Sequence, residues 1–388
     1  MHIAIDAVWL GDRQGAGLAT YTTNLLESLA KVDSRNRYTV YSMRLETGKL
    51  SIENDNFTIK EVPDLLSFLP FWYSWTFWYY TGFSAQLSLD KPDLFLSTHP
   101  ALPLYHPYPR VVIIYDLTPV VLKGAHRADF RFKFGKEVSH AARRANKIIA
   151  ISQSTKKDLI NLLGAKPEKI SVVYPGYDDD IFKPSPDPHK VETALRKYGI
   201  VSSYIIYVGI LEPKKNILRL VEAFASLKRD GKIVHKLVIA GKRAWGDEKV
   251  FQAVRRNGLE GEVIFTGYVP QEELPLLMSG ADVFVFPSLH EGFGIPPLEA
   301  MACGAPVITS NASSLPEVVG DAGILVDPYN VDEIAEAIYK VVSDGKLREQ
   351  MRRKGLERAK LFSWKKAAQQ TLQILEDTYS SRHIHTKA

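Results

Sequence analysis

A chain of 388 residues, of which 45% are hydrophobic and 24% charged, is long enough for two hydrophobic cores and has the composition of a folded globular protein. Its net charge of +5 is compatible with phosphorylated ligands or an anionic membrane surface, but it does not single out nucleic acid, and no nucleic-acid-binding motif is visible. The single cysteine, Cys303, excludes an intramolecular disulfide; we interpret it as a small core residue and expect a reducing compartment.

The first half of the chain alternates strand-like and helical segments. The N-terminal run MHIAIDAVWL contains Asp6 and has no basic residues before it, so we interpret residues 2–9 as a first strand and not as a signal peptide. Further strands are predicted at 38–42, 94–97, 111–115, 147–151 and 170–174. This alternation predicts a parallel α/β domain.

A glycine pair follows the first predicted strand. In the loop GDRQGAGLATY, Gly15 and Gly17 lie just before a helix that begins near Leu18. The loop is not a dinucleotide fingerprint, because Thr20 occupies the third glycine position and no acidic residue ends the second strand. From the residues alone it is either a flexible turn or a ligand-binding loop.

The segment 65–89 is uncharged and rich in aromatic residues. Its length could span a bilayer, but its proline, its glycine and its position between strands favour a buried or interfacial helix. Two interpretations stay open: an aromatic-rich core helix, or a membrane-contacting surface that includes Trp72, Trp75 and Trp78. Attraction to anionic lipid could come from the basic residues Arg127, Arg131, Lys133, Lys136, Arg143, Arg144 and Lys147.

Several polar residues of the first half have competing explanations. Asp116 follows the predicted strand 111–115, where it could face a ligand or cap the next helix. Ser152 and Ser154 are more simply explained as a helix start. The acidic triplet at 178–180 is interpreted as a structural loop. Since no His or Cys cluster has metal-ligand spacing either, we expect no catalytic metal.

A proline-rich segment divides the chain. Residues 182–190, FKPSPDPHK, carry three prolines among polar residues and predict a linker. A second series of strands is predicted at 204–208, 236–240, 263–266, 283–286 and 306–309, and a last helix at 364–379. The expected organisation is an N-terminal domain 1–181, a linker 182–195, a C-terminal domain 196–362 and a terminal helical segment 363–388.

Two lysines follow the first strand of the second series. Lys214 and Lys215 lie between the strand 204–208 and an amphipathic helix. Cations at the carboxyl end of a strand can neutralise a diphosphate and stabilise it as it leaves. Lysines before a helix are also commonly just solvated, so this pair alone does not define a site.

The segment EGFGIPPLEAMACG, residues 291–304, is the most informative part of the chain. Glu291 and Glu299 lie on either side of a Gly-Phe-Gly-Ile turn. The two prolines after the turn suit the start of a helix, and Gly304 suits a left-handed stop before the next strand. Strand, glycine turn, helix and strand is the order with which α/β proteins build ligand crevices.

This helix start has the chemistry of a nucleotide-sugar site. The amides of Phe293, Gly294 and Ile295 would favour an anion such as a diphosphate. Glu299, one turn into the helix, could accept two hydrogen bonds from the vicinal diol of a ribose, and Glu291 could contact groups beyond the phosphates. The simpler alternative is an ordinary loop with two solvated glutamates.

Residues 284–328 strongly resemble the donor-site signature of the retaining family-4 glycosyltransferases, especially its mannosyltransferase-like members; the run is FVFPSLHEGFGIPPLEAMACGAPVITSNASSLPEVVGDAGILVDP. Weaker similarity extends over nearly the whole chain. The resemblance implies the GT-B architecture, an α/β fold with two Rossmann-like, doubly wound parallel-sheet domains that face each other across a cleft. A C-terminal helix would cross back to the first domain.

The same resemblance implies roles for individual residues. The loop with Gly15 and Gly17 would close over the donor phosphates. Lys214 stands where the family usually has arginine. Lysine offers a single point charge where arginine would offer a bidentate fork, so we expect Lys215 to be the stronger phosphate ligand of the two lysines. Tyr115 replaces a histidine that contacts the donor sugar in many relatives. Asp116 could orient the acceptor or accept its proton.

The implied catalytic residues are Glu291, Asp116 and Lys215. The implied donor-binding residues are Gly15, Gly17, Lys214, Lys215, Gly292, Phe293, Gly294, Ile295 and Glu299.

We therefore predict a metal-independent enzyme that moves a hexose, with mannose from GDP-mannose as the first choice, to a hydroxyl of a glycan or lipid-linked sugar with retention at the anomeric carbon. It would need no cofactor beyond the nucleotide sugar. It would act in the cytoplasm, with peripheral contact to the inner face of the cytoplasmic membrane, in cell-surface polysaccharide or glycolipid synthesis. Alternatives are a transferase that uses a UDP-sugar and a noncatalytic nucleotide-sugar-binding protein. An NAD-dependent oxidoreductase is disfavoured because the dinucleotide fingerprint is missing.

Overall fold

The computed structural model describes residues 1–7, 10, 16–42, 52, 54–61, 78–103, 107–124, 127–244 and 246–385. The chain forms two compact units. The first consists of Met1–Gly176 and Trp364–Ala388, and the second of Tyr177–Ser363. Each unit is built around one parallel sheet, which confirms the predicted fold class of two Rossmann-like domains.

The first unit contains a seven-stranded sheet in the order β3-β2-β1-β4-β5-β6-β7. Its strands are β1 (His2–Asp6), β2 (Arg37–Ser42), β3 (Phe57–Glu61), β4 (Leu94–Ser97), β5 (Arg110–Ile114), β6 (Lys147–Ala150) and β7 (Ile170–Val172). All neighbouring strands are parallel. The direction of winding reverses between β1 and β4, as in doubly wound folds.

Helices cover this sheet, which is why most of its strands are continuous apolar runs. The described helices are α1 (Ala16–Val32), α2 (Phe83–Asp90), α3 (Thr118–Val121), α4 (Ala128–Arg144) and α5 (Gln153–Leu163). A single π-helical turn, Trp78–Gly82, precedes α2, and a 3-10 turn, Pro167–Lys169, follows α5.

The second unit contains a six-stranded parallel sheet in the order β10-β9-β8-β11-β12-β13. Its strands are β8 (Tyr204–Val208), β9 (Lys236–Ala240), β10 (Val263–Gly267), β11 (Val283–Phe286), β12 (Val307–Ser310) and β13 (Ile324–Val326). The winding reverses between β8 and β11. The predicted strands of both units are confirmed apart from their ends, whereas β3 and β13 were not predicted.

Eight described helices surround the second sheet. They are α6 (Pro188–Lys197), α7 (Ile217–Arg229), α8 (Glu248–Arg256), α9 (Leu274–Ser279), α10 (Ile295–Ala302), α11 (Leu315–Val319), α12 (Val331–Ser343) and α13 (Gly345–Ala359). A 3-10 turn, Pro213–Lys215, precedes α7. Helix α6 begins within the segment predicted as a linker, where the Asp187 carboxylate caps its first amides.

The last helix, α14 (Trp364–His385), belongs to the first unit, as the predicted crossing helix does. It packs against α1, where the rings of Trp364 and Tyr21 meet edge to face with centroids 5.0 Å apart. Tyr21 in turn packs edge to face on Tyr115, at 4.9 Å. The last helix therefore completes the core of a sheet whose last strand, β7, ends 192 residues before Trp364.

The aromatic segment 65–89 is described from residue 78 onward, so Trp72 and Trp75 lie outside the described residues. The described part contains buried Tyr79 and Phe83, which belong to the core of the first unit. Within the described ranges, no helix is long and apolar enough to cross a membrane.

We expect Gly241→Ala to destabilise the second unit by roughly 2–3 kcal/mol. Gly241 follows β9, and a Cβ atom at this position would lie 1.9 Å from the carbonyl oxygen of Gly209, which follows β8. Urea unfolding followed by circular dichroism measures the loss. Gly261→Ala is the matched control, because a Cβ atom there meets nothing within 4 Å. Equal stability of the two variants would contradict this close approach.

Candidate functional site

The two loops predicted to bind the donor lie side by side at the winding reversal of the second sheet. Strands β8 and β11 are neighbours, and the loops after them carry Lys215 and Glu291. Because parallel strands end at the same edge of a sheet, residues 76 positions apart in sequence come into contact. This edge is where doubly wound folds bind their ligands.

The contact is an ion pair that is largely removed from water. Lys215 Nζ lies 2.7 Å from Glu291 Oε1, and the two side chains are 13% and 10% exposed. Ser288 Oγ lies 2.6 Å from the same carboxylate oxygen. Lys215 Nζ also lies 5.1 Å from the centroid of the Phe286 ring, whose face favours a cation. The charged ends of both residues are therefore held in defined positions.

The charge state of Glu291 depends on its basic neighbours. Burial alone would raise the pKa of this carboxyl group. The charges of Lys215 and Lys214 act in the opposite direction and, with the hydrogen bonds to the carboxylate, hold the pKa of Glu291 below its ordinary value. Glu291 is therefore an anion at neutral pH.

Serines from the loop after β12 hold the backbone around Glu291. The Glu291 amide donates to Ser313 Oγ over 2.9 Å. Ser314 Oγ lies 2.6 Å from the Phe293 carbonyl oxygen and 2.9 Å from that of Glu291. Ser313 adopts a positive φ of 50°, which side chains rarely tolerate. The glutamate is thus fixed through its backbone as well as through its carboxylate.

Helix α10 begins directly after this segment, as predicted. Gly294 has a φ of 115°, and a Cβ atom there would lie 2.7 Å from Leu315 Cδ2, so both conformation and space require glycine. The second and third helical residues are prolines, which leaves Ile295 with the only amide hydrogen in the first three positions. Phe293 is buried, and its ring packs on Phe362 at 5.5 Å. Anion binding by these amides stays a prediction.

Glu299, the fifth residue of α10, differs electrostatically from Glu291. It is partly buried, and burial together with the negative charge of Asp178 raises its pKa to about 8. At neutral pH the carboxyl group of Glu299 is therefore protonated in most molecules. A protonated carboxyl group can both donate to and accept from a hydroxyl, which is compatible with the predicted ribose contact.

In the first unit, Asp116 and Tyr115 each make a hydrogen bond to the backbone. Asp116 Oδ1 accepts a hydrogen bond over 2.8 Å from the amide of Thr118, the first residue of α3, but the N-cap position of this helix is Leu117. Tyr115 donates its hydroxyl hydrogen to the Thr98 carbonyl over 2.9 Å. Gly15 lies outside the described residues. Gly17 was placed in the loop before α1, and this was wrong: α1 begins at Ala16, so Gly17 is its second residue. The first turn of a helix makes few hydrogen bonds, so the sequence does not define its first residue sharply.

The predicted nonfunctional roles also have structural counterparts. Asp178 Oδ1 accepts from the amides of Asp180 and Ile181, each over 3.2 Å, as expected for a structural loop. Cys303 is buried at the end of α10, and burial raises the pKa of its thiol. Ser152 caps α5 by accepting from the Thr155 amide over 3.0 Å. Among the described residues, no three His, Cys, Asp or Glu side chains are grouped so that they could hold a metal ion.

Sequence reasoning missed the polar residues that support the ion pair. Asn216 could have been noticed because it follows Lys215 directly, and Ser288 because it lies three residues before Glu291. Ser313 has no signal in the sequence, because its position beside Glu291 depends on the pairing of β11 with β12.

Comparisons with known proteins agree with this architecture. Residues 193–358 match the family model "Glycosyl transferases group 1", and residues 15–181 match "Glycosyltransferase Family 4". O-antigen chain mannosyltransferase B of Escherichia coli is 36% identical over 263 residues, which are 68% of this chain and 68% of that protein. The serotype-specific mannosyltransferase WbdA of E. coli is 30% identical over 265 residues, 68% of this chain but 32% of that longer protein.

Solved structures show the same fold. A sucrose-phosphate synthase from Thermosynechococcus elongatus has a TM-score of 0.79 at 21% identity, and the alignment covers 98% of this chain and 100% of that one. Anabaena Alr3699/HepE in complex with UDP and glucose has a TM-score of 0.75 at 21% identity, with 97% and 100% covered.

We expect Lys215→Met to cost about 3 kcal/mol of unfolding free energy at pH 8 and less at pH 5, measured by urea titration. The variant leaves a buried carboxylate without its cation, so the pKa of Glu291 rises and protonation in acid relieves the penalty. The double variant Lys215→Met/Glu291→Gln should lose less, because the glutamine at position 291 carries no charge that needs the missing lysine.

The control for this pair is Lys354→Met. Lys354 Nζ lies 2.8 Å from Asp321, but these side chains are 40% and 85% exposed, so the loss should stay below about 1 kcal/mol. Equal losses in the single and double variants would show that Lys215 does not compensate the charge of Glu291.

Proposed function

This chain belongs to the glycosyltransferases of the group 1 and family 4 models, and on that basis we propose that it transfers mannose from GDP-mannose to a hydroxyl of a glycan or lipid-linked sugar. The observation that carries the proposal is the buried Lys215–Glu291 pair at the winding reversal of the second sheet. The choice of mannose is supported by the two E. coli relatives, both of which are named mannosyltransferases.

The ion pair is suited to open when a nucleotide sugar binds. A diphosphate would take over the ammonium group of Lys215, supported by Lys214 and by the Ile295 amide at the start of α10. Glu291, released from its cation, would accept hydrogen bonds from hydroxyl groups of the hexose. Glu299 would contact the ribose. Each charge thereby exchanges one partner for another and does not pass through an unpaired state.

We propose transfer with retention by attack on the same face from which the nucleotide leaves. The bond between the anomeric carbon and the phosphate oxygen breaks, and a bond to the acceptor oxygen forms. The acceptor proton passes to the departing phosphate oxygen. Negative charge grows on the diphosphate during this step, and Lys215 stabilises it. The residues proposed for this role are lysines, and the proposal includes neither a metal nor a cofactor.

Peripheral membrane contact through the first unit is a further part of the proposal. A groove of about 1040 Å³ lies against α4, and its lining includes Lys136, Arg143 and Phe132. Phe132 is 67% exposed and Phe130 42% exposed. Exposed aromatic rings beside cations favour an anionic bilayer surface. Such contact would keep the enzyme at the inner face of the cytoplasmic membrane, near a lipid-linked acceptor.

Substitution of the two glutamates should separate turnover from nucleotide binding. We expect Glu291→Gln to lower turnover at least about 100-fold while the Kd for the nucleotide changes little, because this carboxylate contacts the sugar. Glu299→Ala should weaken nucleotide binding about tenfold through the lost ribose contact. Calorimetry and donor hydrolysis with GDP-, UDP-, ADP- and dTDP-sugars measure both effects.

The donor panel also distinguishes the alternatives. A preference for a UDP-sugar would replace GDP-mannose as the donor. Tight nucleotide binding without transfer or hydrolysis would favour a noncatalytic binding protein. If both glutamate variants lost nucleotide affinity equally, the division of roles between them would be wrong.

The membrane proposal predicts binding to vesicles that contain anionic phospholipid. The variant Phe132→Ser/Lys136→Gln/Arg143→Gln should lose most of this binding in a sedimentation assay, since it removes one exposed ring and two charges. The matched control is Val201→Ser/Lys190→Gln/Lys346→Gln, which makes the same kind of change at exposed positions of the second unit. Equal binding by both folded variants would refute membrane contact through α4.

A further inference from the structure

Asn216 has a conformation and surroundings that set it apart from its neighbours. It follows Lys215 directly and lies at the boundary between the 3-10 turn Pro213–Lys215 and helix α7. Its φ is 61°, in the left-handed region that most side chains avoid, and its exposed fraction is 4%. A buried polar side chain in a disfavoured backbone conformation requires a specific physical reason.

The side chain of Asn216 uses both of its polar atoms. Its amide nitrogen donates to the Pro328 carbonyl over 2.6 Å and to the Pro287 carbonyl over 3.0 Å. Its amide oxygen accepts from Arg219 Nη1 over 2.8 Å. Pro287 follows β11 and Pro328 follows β13, so this one side chain joins the loops after β8, β11 and β13.

These bonds fix the backbone on both sides of Lys215. On one side, the Lys214 carbonyl accepts from the Leu289 amide over 2.8 Å and lies 3.0 Å from Ser288 Oγ. On the other side, Asn216 is bonded to the loop that leads to Glu291. Lys215 is thereby held between two fixed points, and its ammonium group lies opposite the Glu291 carboxylate.

Asparagine is the residue that combines the two properties this position needs. Glycine would adopt the left-handed conformation, but it has no amide to donate. Aspartate tolerates the conformation almost as well, but it would place a carboxylate against two carbonyl oxygens. Alanine would lack the hydrogen bonds and would be strained.

We propose that Asn216 is a positioning residue for the diphosphate: it holds the ammonium group of Lys215 where the phosphate at the reacting end of the donor binds. The inference rests on the proposed function. It predicts that loss of the Asn216 bonds weakens the contact with the terminal phosphate of a nucleoside diphosphate and spares the contacts with base and ribose. A purely structural asparagine would instead affect all nucleotide contacts alike.

The test compares nucleoside diphosphate with monophosphate binding in Asn216→Gly. The preferred base of the wild type is first determined with GDP and GMP, UDP and UMP, and ADP and AMP. For that base, calorimetry gives the Kd of the diphosphate and the Kd of the monophosphate, and the ratio of these two values is compared between the variant and the wild type. We expect the preference for the diphosphate to fall about tenfold, while the Kd of the monophosphate changes less than about threefold. Because both ligands are measured on one sample, partial unfolding affects both alike and leaves the ratio unchanged.

Asn216→Asp provides the same test if the glycine variant does not fold, since it keeps the backbone conformation and an acceptor for Arg219. The matched control is Asn257→Gly, at the end of α8, where the side-chain amide donates to the Ala253 carbonyl over 2.8 Å. An unchanged ratio in folded Asn216 variants, or an equal fall in the control, would overturn the inference. A wild type that binds none of these nucleotides would instead overturn the proposed function.

Discussion

The second unit is organised around one buried contact, the ion pair between Lys215 and Glu291. Removing two opposite charges from water has a cost in free energy that can exceed their mutual attraction, so such a pair contributes little or no net stability. The surrounding structure nevertheless fixes both partners through Ser288, Ser313 and Asn216. In a site that holds a charge pair largely out of contact with water, a charged group of a ligand can replace one member of the pair as the partner of the other.

The two glutamates of the site show how neighbours decide the chemistry of identical side chains. Glu291 lies beside Lys214 and Lys215 and stays charged, whereas burial, together with the negative charge of Asp178, holds Glu299 largely neutral. The two glutamates are eight positions apart, and the sequence alone does not show that their charge states differ. The charged one is equipped to attract cations or polarised hydroxyl groups, and the neutral one to share hydrogen bonds in both directions.

Much of the fold could be predicted because buried parallel strands are apolar runs between helices. Strand β3, with the sequence FTIKE, escaped prediction because it is a half-exposed edge strand with polar residues. The edge strand β13 also escaped prediction, although β7, which is equally short, was predicted. At the site, Lys215 and Glu291 were each predicted as ligand-binding residues, but their contact with each other depends on which strands are neighbours. The supporting serines depend on the same long-range pairing, which no local pattern contains.

The discontinuity of the first unit affects how the protein is made. Its sheet comes from the first 176 residues, but its core is closed by α14, which begins at Trp364. During translation, the second unit emerges as one uninterrupted segment and can fold while the first still waits for its last helix. Until then the face of α1 that contacts Trp364 is uncovered. If a ribosome stalls after the second unit but before α14 is made, the released chain therefore exposes a hydrophobic surface, which makes it a substrate for chaperones or proteases.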